Sequence, residues 1–141
     1  MVTFGAFLYH FMRHLSNMYF PVGIINRLSL GNLGVIFSCD EIIVTQERLK
    51  HISVNHPQDI ELFLKFAKIC IEEPDIVLQD LKHDQTVFMI KRLKDTNVNT
   101  IVRLVLQDEK KNLKSSVMTF YRIRDKNLKK LINTHKILYM K

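Results

Sequence analysis

The apolar positions change period twice between residues 41 and 106, and the changes mark the first elements. "EIIVT" at 41–45 is a short β-branched run and predicts a strand. Thr45 then stands where a helix starting "QERLKHI" needs its N-cap, because a hydroxyl can accept an otherwise orphaned backbone N–H. Pro57 disfavours helical geometry at His56 and suits the first turn of a new helix. In that second helix, "PQDIELFLKFAKICIEE", Ile60, Phe63, Leu64, Ala67 and Ile71 recur at helical spacing. Asp59 and Glu61 sit in its first turn, where the helix dipole favours anions, and Pro74 marks its end.

Beyond Pro74 the period shortens. "DIVLQD" (75–80), "TVFMIKR" (86–92), "NTIVRLVL" (99–106) and "SSVMTFYRI" (115–123) are rich in Val, Ile, Thr, Phe and Tyr and read as strands. Short polar gaps between them favour antiparallel hairpins. Strict alternation puts Ser115, Val117, Thr119 and Tyr121 on one face and Ser116, Met118, Phe120 and Arg122 on the other. Asp125 is placed to cap a last helix, "KNLKKLIN", with Leu128, Leu131 and Ile132 on one side, and "KILYM" can add a final edge strand. Earlier, "PVGIIN" (21–26) reads as a strand or a turn, and "LGNLG" (30–34) as a loop. The expected fold is α+β: N-terminal helices packed on an antiparallel sheet of about four to five strands, with a C-terminal basic helix.

Residues 1–20 are set apart as an N-terminal amphipathic segment, leaving 21–141 as a single domain. The segment is rich in Phe, Leu and Met, but His10, Arg13 and His14 interrupt it, so it predicts no membrane-spanning helix and no stable membrane insertion. It also lacks the pattern of a secretory signal. A helix docking on the domain is the expectation; a membrane-surface helix or a partner-binding arm are the alternatives.

Charge sharpens the picture. The chain of 141 residues carries a formal +7, and residues 110–141 hold ten Lys/Arg against Asp125 alone. The first 109 residues hold 11 basic and 13 acidic side chains. So basic a C-terminal third points to a polyanionic partner, nucleic acid first among them. The plainer reading is solubility with helix-end charge. Two cysteines, Cys39 and Cys70, are too few for a disulfide scaffold or a four-cysteine zinc site, and they fit a reduced interior.

The candidate chemistry centres on "KHISVNHPQD". Positions five apart on one helix differ by about 140°, so His51 and His56 are no one-turn metal pair. A bend at Pro57 would bring both rings to one rim, as a general base and a general acid near neutral pH. A His before Pro is otherwise a surface or capping residue. A zinc site would need a third ligand from His83, Cys70 or a carboxylate, and no tight spacing supplies one; no cofactor is expected. Cys70 lies near an apolar helix face and reads as core. On the strands, Lys91, Arg103 and Thr119 are placed to hold a phosphate and its pentacovalent transition state, or are simply a solvated sheet face.

The order and spacing of "ERLKHIxxxHPxD", a helix ending "EEPD", "HDQTVFMIKRL" and "SSVMTFYRIRDKNLKKL" resembles the phage-associated nucleases grouped with barnase, EndoU, colicins and RelE. The likeness covers about residues 22–139, and "HIxxxHP" is its sharpest part. It implies a small α+β fold and metal-independent RNA cleavage, in which the ribose 2′-hydroxyl attacks the neighbouring phosphate. His51 and His56 match the motif's histidines, Thr119 matches the hydroxyl of the "TF" strand, and Lys91 and Arg103 match strand basic positions loosely. Asn55 departs from the basic residue expected before the second His.

The resulting expectation is an endoribonuclease of phage or toxin type, acting in the cytoplasm of a bacterial host. His51, His56, Arg103, Thr119 and Lys91 would be catalytic, with Lys114, Tyr121, Arg122 and Arg124 contacting RNA. An immunity or host protein is a further candidate partner. The alternative is a non-catalytic phage protein on the same fold that binds nucleic acid or inhibits a host system.

Overall fold

The computed structural model describes residues 18–109 and 113–141. Its elements in chain order are β1 (Tyr19–Ile24), a 3-10 turn (Arg27–Leu30), β2 (Glu41–Thr45), α1 (Gln46–Asn55), α2 (Ile60–Glu72), β3 (Ile76–Gln79), β4 (Thr86–Arg92), β5 (Asn97–Arg103), β6 (Ser115–Ile123), α3 (Asp125–Thr134) and β7 (Lys136–Met140). The strands form one seven-stranded sheet in the order β1-β2-β6-β5-β4-β3-β7.

This overturns the expected arrangement of leading helices on an antiparallel sheet of four to five strands. Two strands precede the helices, and the sheet is mixed: β2 runs parallel to β6 through Ile42–Ser115 and Ile43–Ser116. Local patterning finds each strand but says nothing about which distant strand it meets. The antiparallel meander β3–β4–β5–β6 is present. To it β2 and β1 are added at one edge and β7 at the other. The segment read at 1–20 lies outside the described residues except for its last three, and β1 begins at Tyr19 within it.

The helices take opposite faces. Alternate strand residues Val77, Val87, Met89, Val98 and Phe120 share one buried cluster with Ile52 of α1 and Phe63, Ala67 and Ile71 of α2. There Phe63 and Phe120 meet edge to face, ring centroids 5.4 Å apart. The interleaved residues Ile76, Leu78, Ile90 and Ile123 form a second cluster with Leu128 of α3, and Leu131 and Ile132 pack against it. Burying Leu128 alone contributes about 2 kcal/mol to docking α3. Asp125 does not cap this helix. The N-cap is Arg124, without a side-chain bond, and Asp125 in the first turn accepts 2.7 Å from Asn97 Nδ2.

Two backbone features shape the sheet. The register of β5 against β6 shifts so that Ile101 faces Thr119 while Val102 faces Val117, leaving Met118 as the extra residue of a bulge. The bulge breaks the expected alternation. Val117 and Phe120 share the α1–α2 face, and Thr119 and Tyr121 turn to the α3 face with Ile123. Gly31 has φ +47°, and a side chain there would collide with the Leu138 carbonyl of β7. Only glycine lets the loop lie this close to the strand.

Candidate nucleic-acid interface

Thr45 Oγ1 accepts from Arg48 N (3.1 Å), starting α1 as its sequence predicts. The helix keeps its register to the end, because His56 N–H still bonds Ile52 O at 2.8 Å. No bend therefore precedes Pro57, and the two histidines keep the wide angular separation of positions five apart. His51 is exposed on the outer side of α1, with Asn55 Nδ2 2.8 Å from its Nε2. His56 turns the other way. Its ring stacks on Tyr121 at 6.1 Å, with 27° between planes, and its Nδ1 lies 3.9 Å from Asp59 Oδ2. The rings have no partner in common.

Around His56 a polar cluster forms where the turn before α2 meets the outer end of β6. Asp59 is only 6% exposed and accepts 2.6 Å from Arg122 Nε, while Gln58 Oε1 takes Arg122 Nη2 at 3.0 Å. Tyr121 OH receives Asn99 Nδ2 at 3.1 Å, and Asn99 is fully buried in β5. Thr119, half-buried, lies two residues before Tyr121 on the same face of β6. So His56, Tyr121 and Arg122 gather in one region, while Thr119 lies farther along β6, opposite Ile101, with no hydrogen bond or ring contact to them among the described residues. Sequence reasoning missed Asp59, Gln58 and Asn99 as partners, because their pairing joins segments some 60 or 20 residues apart, beyond local spacing.

The remaining candidates lie elsewhere. Lys91 Nζ bonds Glu73 O (2.7 Å) and Asp75 Oδ1 (3.4 Å) past the C-terminal end of α2. The cluster at His56 lies at the other end of that helix, roughly 20 Å away by helical rise. Arg103 pairs in register with Ser116 and is held by Glu109 at 2.5 Å. Ser116 and Tyr121 are separated by about 15 Å of strand. Glu109 is held below the usual carboxylate range, first by the Leu106 backbone N–H and then by Arg103. Lys114 Nζ is 3.6 Å from Glu41 Oε2 and 5.7 Å from the Tyr19 ring centroid, at the β2 end of β6.

A different set of cations is free. Leu128, Leu131 and Ile132 turn one side of α3 to the sheet, so the sequence spacing sends Lys126, Lys129 and Lys130 to solvent. Arg124 is exposed at the helix start, where it lines a groove of about 320 Å³ with Lys94, Asp95 and Asp125. Among the described residues none of Arg124, Lys126, Lys129 and Lys130 forms an ion pair. Arg92, on the same face of the sheet as the Ile90 beneath α3, is exposed too. The "KNLKKL" spacing carried this signal, since residues three and four apart share a helix side.

Cys70 is fully buried in the main cluster, and burial pushes its thiol up to about 11, so it is no nucleophile at neutral pH. Among the described residues no group of three or more His, Cys, Asp or Glu side chains is placed to hold a metal ion. No described helix is long and apolar enough to cross a membrane. No family model, curated protein or solved structure matches the chain.

Proposed function

We propose that this protein binds nucleic acid, with RNA as its ligand, through the outer side of α3. The observation that carries this reading is a contrast among cations. Lys91, Arg103, Lys114 and Arg122 each face a carboxylate. Arg124, Lys126, Lys129 and Lys130 stand exposed on a helix anchored through Leu128. Lysines three and four apart lie about 5–6 Å from one another, close to the phosphate spacing of an extended strand. Phosphate contacts of this kind supply affinity without reading sequence. RNA is favoured over DNA by the resemblance of "HIxxxHP" to ribonuclease motifs.

A second reading, cleavage of the bound RNA, is supported by the cluster at His56. One imidazole sits against Tyr121, beside Asp59 and its Arg122. In this form His56 takes the proton of the 2′-hydroxyl as that oxygen attacks the phosphorus, and returns it to the departing 5′-oxygen as the P–O5′ bond breaks, and His51 has no part. Incubation with total RNA in EDTA separates the two. A gel shift with intact RNA, lost on Lys126→Ala/Lys129→Ala/Lys130→Ala, is the result expected for binding. Cyclic-phosphate ends that vanish in His56→Ala but persist in His51→Ala would replace binding alone by cleavage. Absence of both shift and cleavage at low salt would refute the proposal.

A further inference from the structure

The imidazole of His56 is held by packing rather than by its nitrogens. Its backbone N–H closes α1 on Ile52 O, but among the described residues neither ring nitrogen is hydrogen-bonded, and the Asp59 carboxylate, 3.9 Å from Nδ1, is too far for such a bond. What fixes the ring is Tyr121, stacked 6.1 Å away with 27° between the planes. Tyr121 is itself anchored. Its hydroxyl receives Asn99 Nδ2 at 3.1 Å, and its ring packs against the cluster beneath α3. The His56 side chain is still 39% exposed. From this we infer that the His56 ring, backed by Tyr121, is a stacking platform for one unpaired base of the RNA strand held by α3.

The placement supports this. His56 ends α1 on one side of the sheet, yet its ring rests on Tyr121, whose own packing is on the α3 side. Tyr121 and Arg124 are three residues apart, about 10 Å of extended chain. Arg124 begins the run of free cations along α3. A strand whose phosphates follow Lys130, Lys126 and Arg124 toward β6 therefore brings its next bases to the ring. Every base has a face that stacks on an aromatic ring, so the contact adds affinity without a sequence requirement. It also selects the kind of RNA. In a duplex the bases stack on one another, whereas an unpaired base can splay onto the ring. Asp59 adds little repulsion to a passing phosphate, because it is only 6% exposed and accepts from Arg122 Nε at 2.6 Å. The inference rests on the RNA-binding reading and is independent of cleavage, since stacking does not use the ring's proton.

Fluorescence anisotropy of the full chain with a labelled 2′-O-methyl single strand, which cannot be cleaved, tests it. His56→Ala should weaken binding at least about fivefold, the lower end of what one stacked base contributes. His56→Phe, which keeps a flat ring without ring nitrogens, should bind as the wild type does. Both variants retain the backbone bond that closes α1. On an abasic strand of the same length, and on a duplex, wild type and His56→Ala should not differ. Equal binding of the single strand by wild type and His56→Ala would overturn the inference and leave the α3 reading standing. So would a loss in His56→Ala as large on the abasic strand as on the strand with bases. Binding by His56→Phe as weak as by His56→Ala would assign the effect to the ring nitrogens and overturn stacking. If the wild type binds neither strand at low salt, the RNA reading itself falls, and this inference with it.

Discussion

Replacing Lys126, Lys129 and Lys130 together by alanine removes three exposed cations from α3 and leaves its anchor, Leu128, Leu131 and Ile132, in place. Alanine is the best helix former, so the helix itself is not weakened. Each lysine that neutralises a phosphate of a single strand adds about 0.7 to the steepness of log K against log salt, so the triple variant should lose about 2. Between 50 and 200 mM salt, the wild type should then weaken roughly twentyfold more than the variant. Fluorescence anisotropy with a labelled single-stranded RNA across that salt range measures both slopes. Lys65→Ala/Lys68→Ala, on α2 and so on the other side of the sheet, is the control and should leave the slope unchanged. An unchanged slope in the α3 variant, or an equal drop in the control, would refute a localised interface.

Three further outcomes concern the scaffold. Asp59→Ala should destabilise by about 1–2 kcal/mol, since it removes a charged hydrogen bond to an Arg122 whose side chain is 45% exposed; a double-mutant cycle with Arg122→Ala in urea should recover most of that. Gly31→Ala should cost at least about 2 kcal/mol, because φ +47° and the Leu138 carbonyl both oppose a Cβ, and a thermal melt reads it. Cys70 gives an alkaline signature. Its folded value, about 11, lies above the ordinary 9.0, so its contribution is complete below pH 9 and is lost as pH rises through 11. Cys70→Ala should flatten that part of the stability profile, by no more than about 3 kcal/mol, in urea titrations at pH 8 and 10.5.

Much of the element list was legible because it is written in short-range periods. The "TVFMIKR" and "SSVMTFYRI" runs coincide with β4 and β6, "KILYM" is an edge strand, and Thr45 caps α1. The start of α2 was read three residues early, since Pro57–Asp59 form a turn and the helix opens at Ile60. What escaped depends on distant partners. The β2–β6 pairing, the Met118 bulge and the opposite placement of α3 leave no local signature. The relation between the two histidines was misread for a related reason. A proline bend was expected to unite His51 and His56, yet Pro57 acts only after α1 has completed its bond to His56. Basic residues on strands looked free in the sequence because their counter-charges, Asp75, Glu109 and Glu41, come from other turns and strands.

The parallel seam between β2 and β6 has a consequence for the order of assembly. Its two sides, Ile42 and Ser115, are about 70 positions apart, and closing so large a loop is slow. On the ribosome, β1 and β2 emerge first and must wait, their backbone edge unsatisfied, until nearly the whole chain has followed. The β3–β6 meander can zip from neighbour to neighbour in the meantime. Late capture of the leading hairpin by the completed meander is thus the step at which a nascent chain is most exposed to aggregation or to a chaperone.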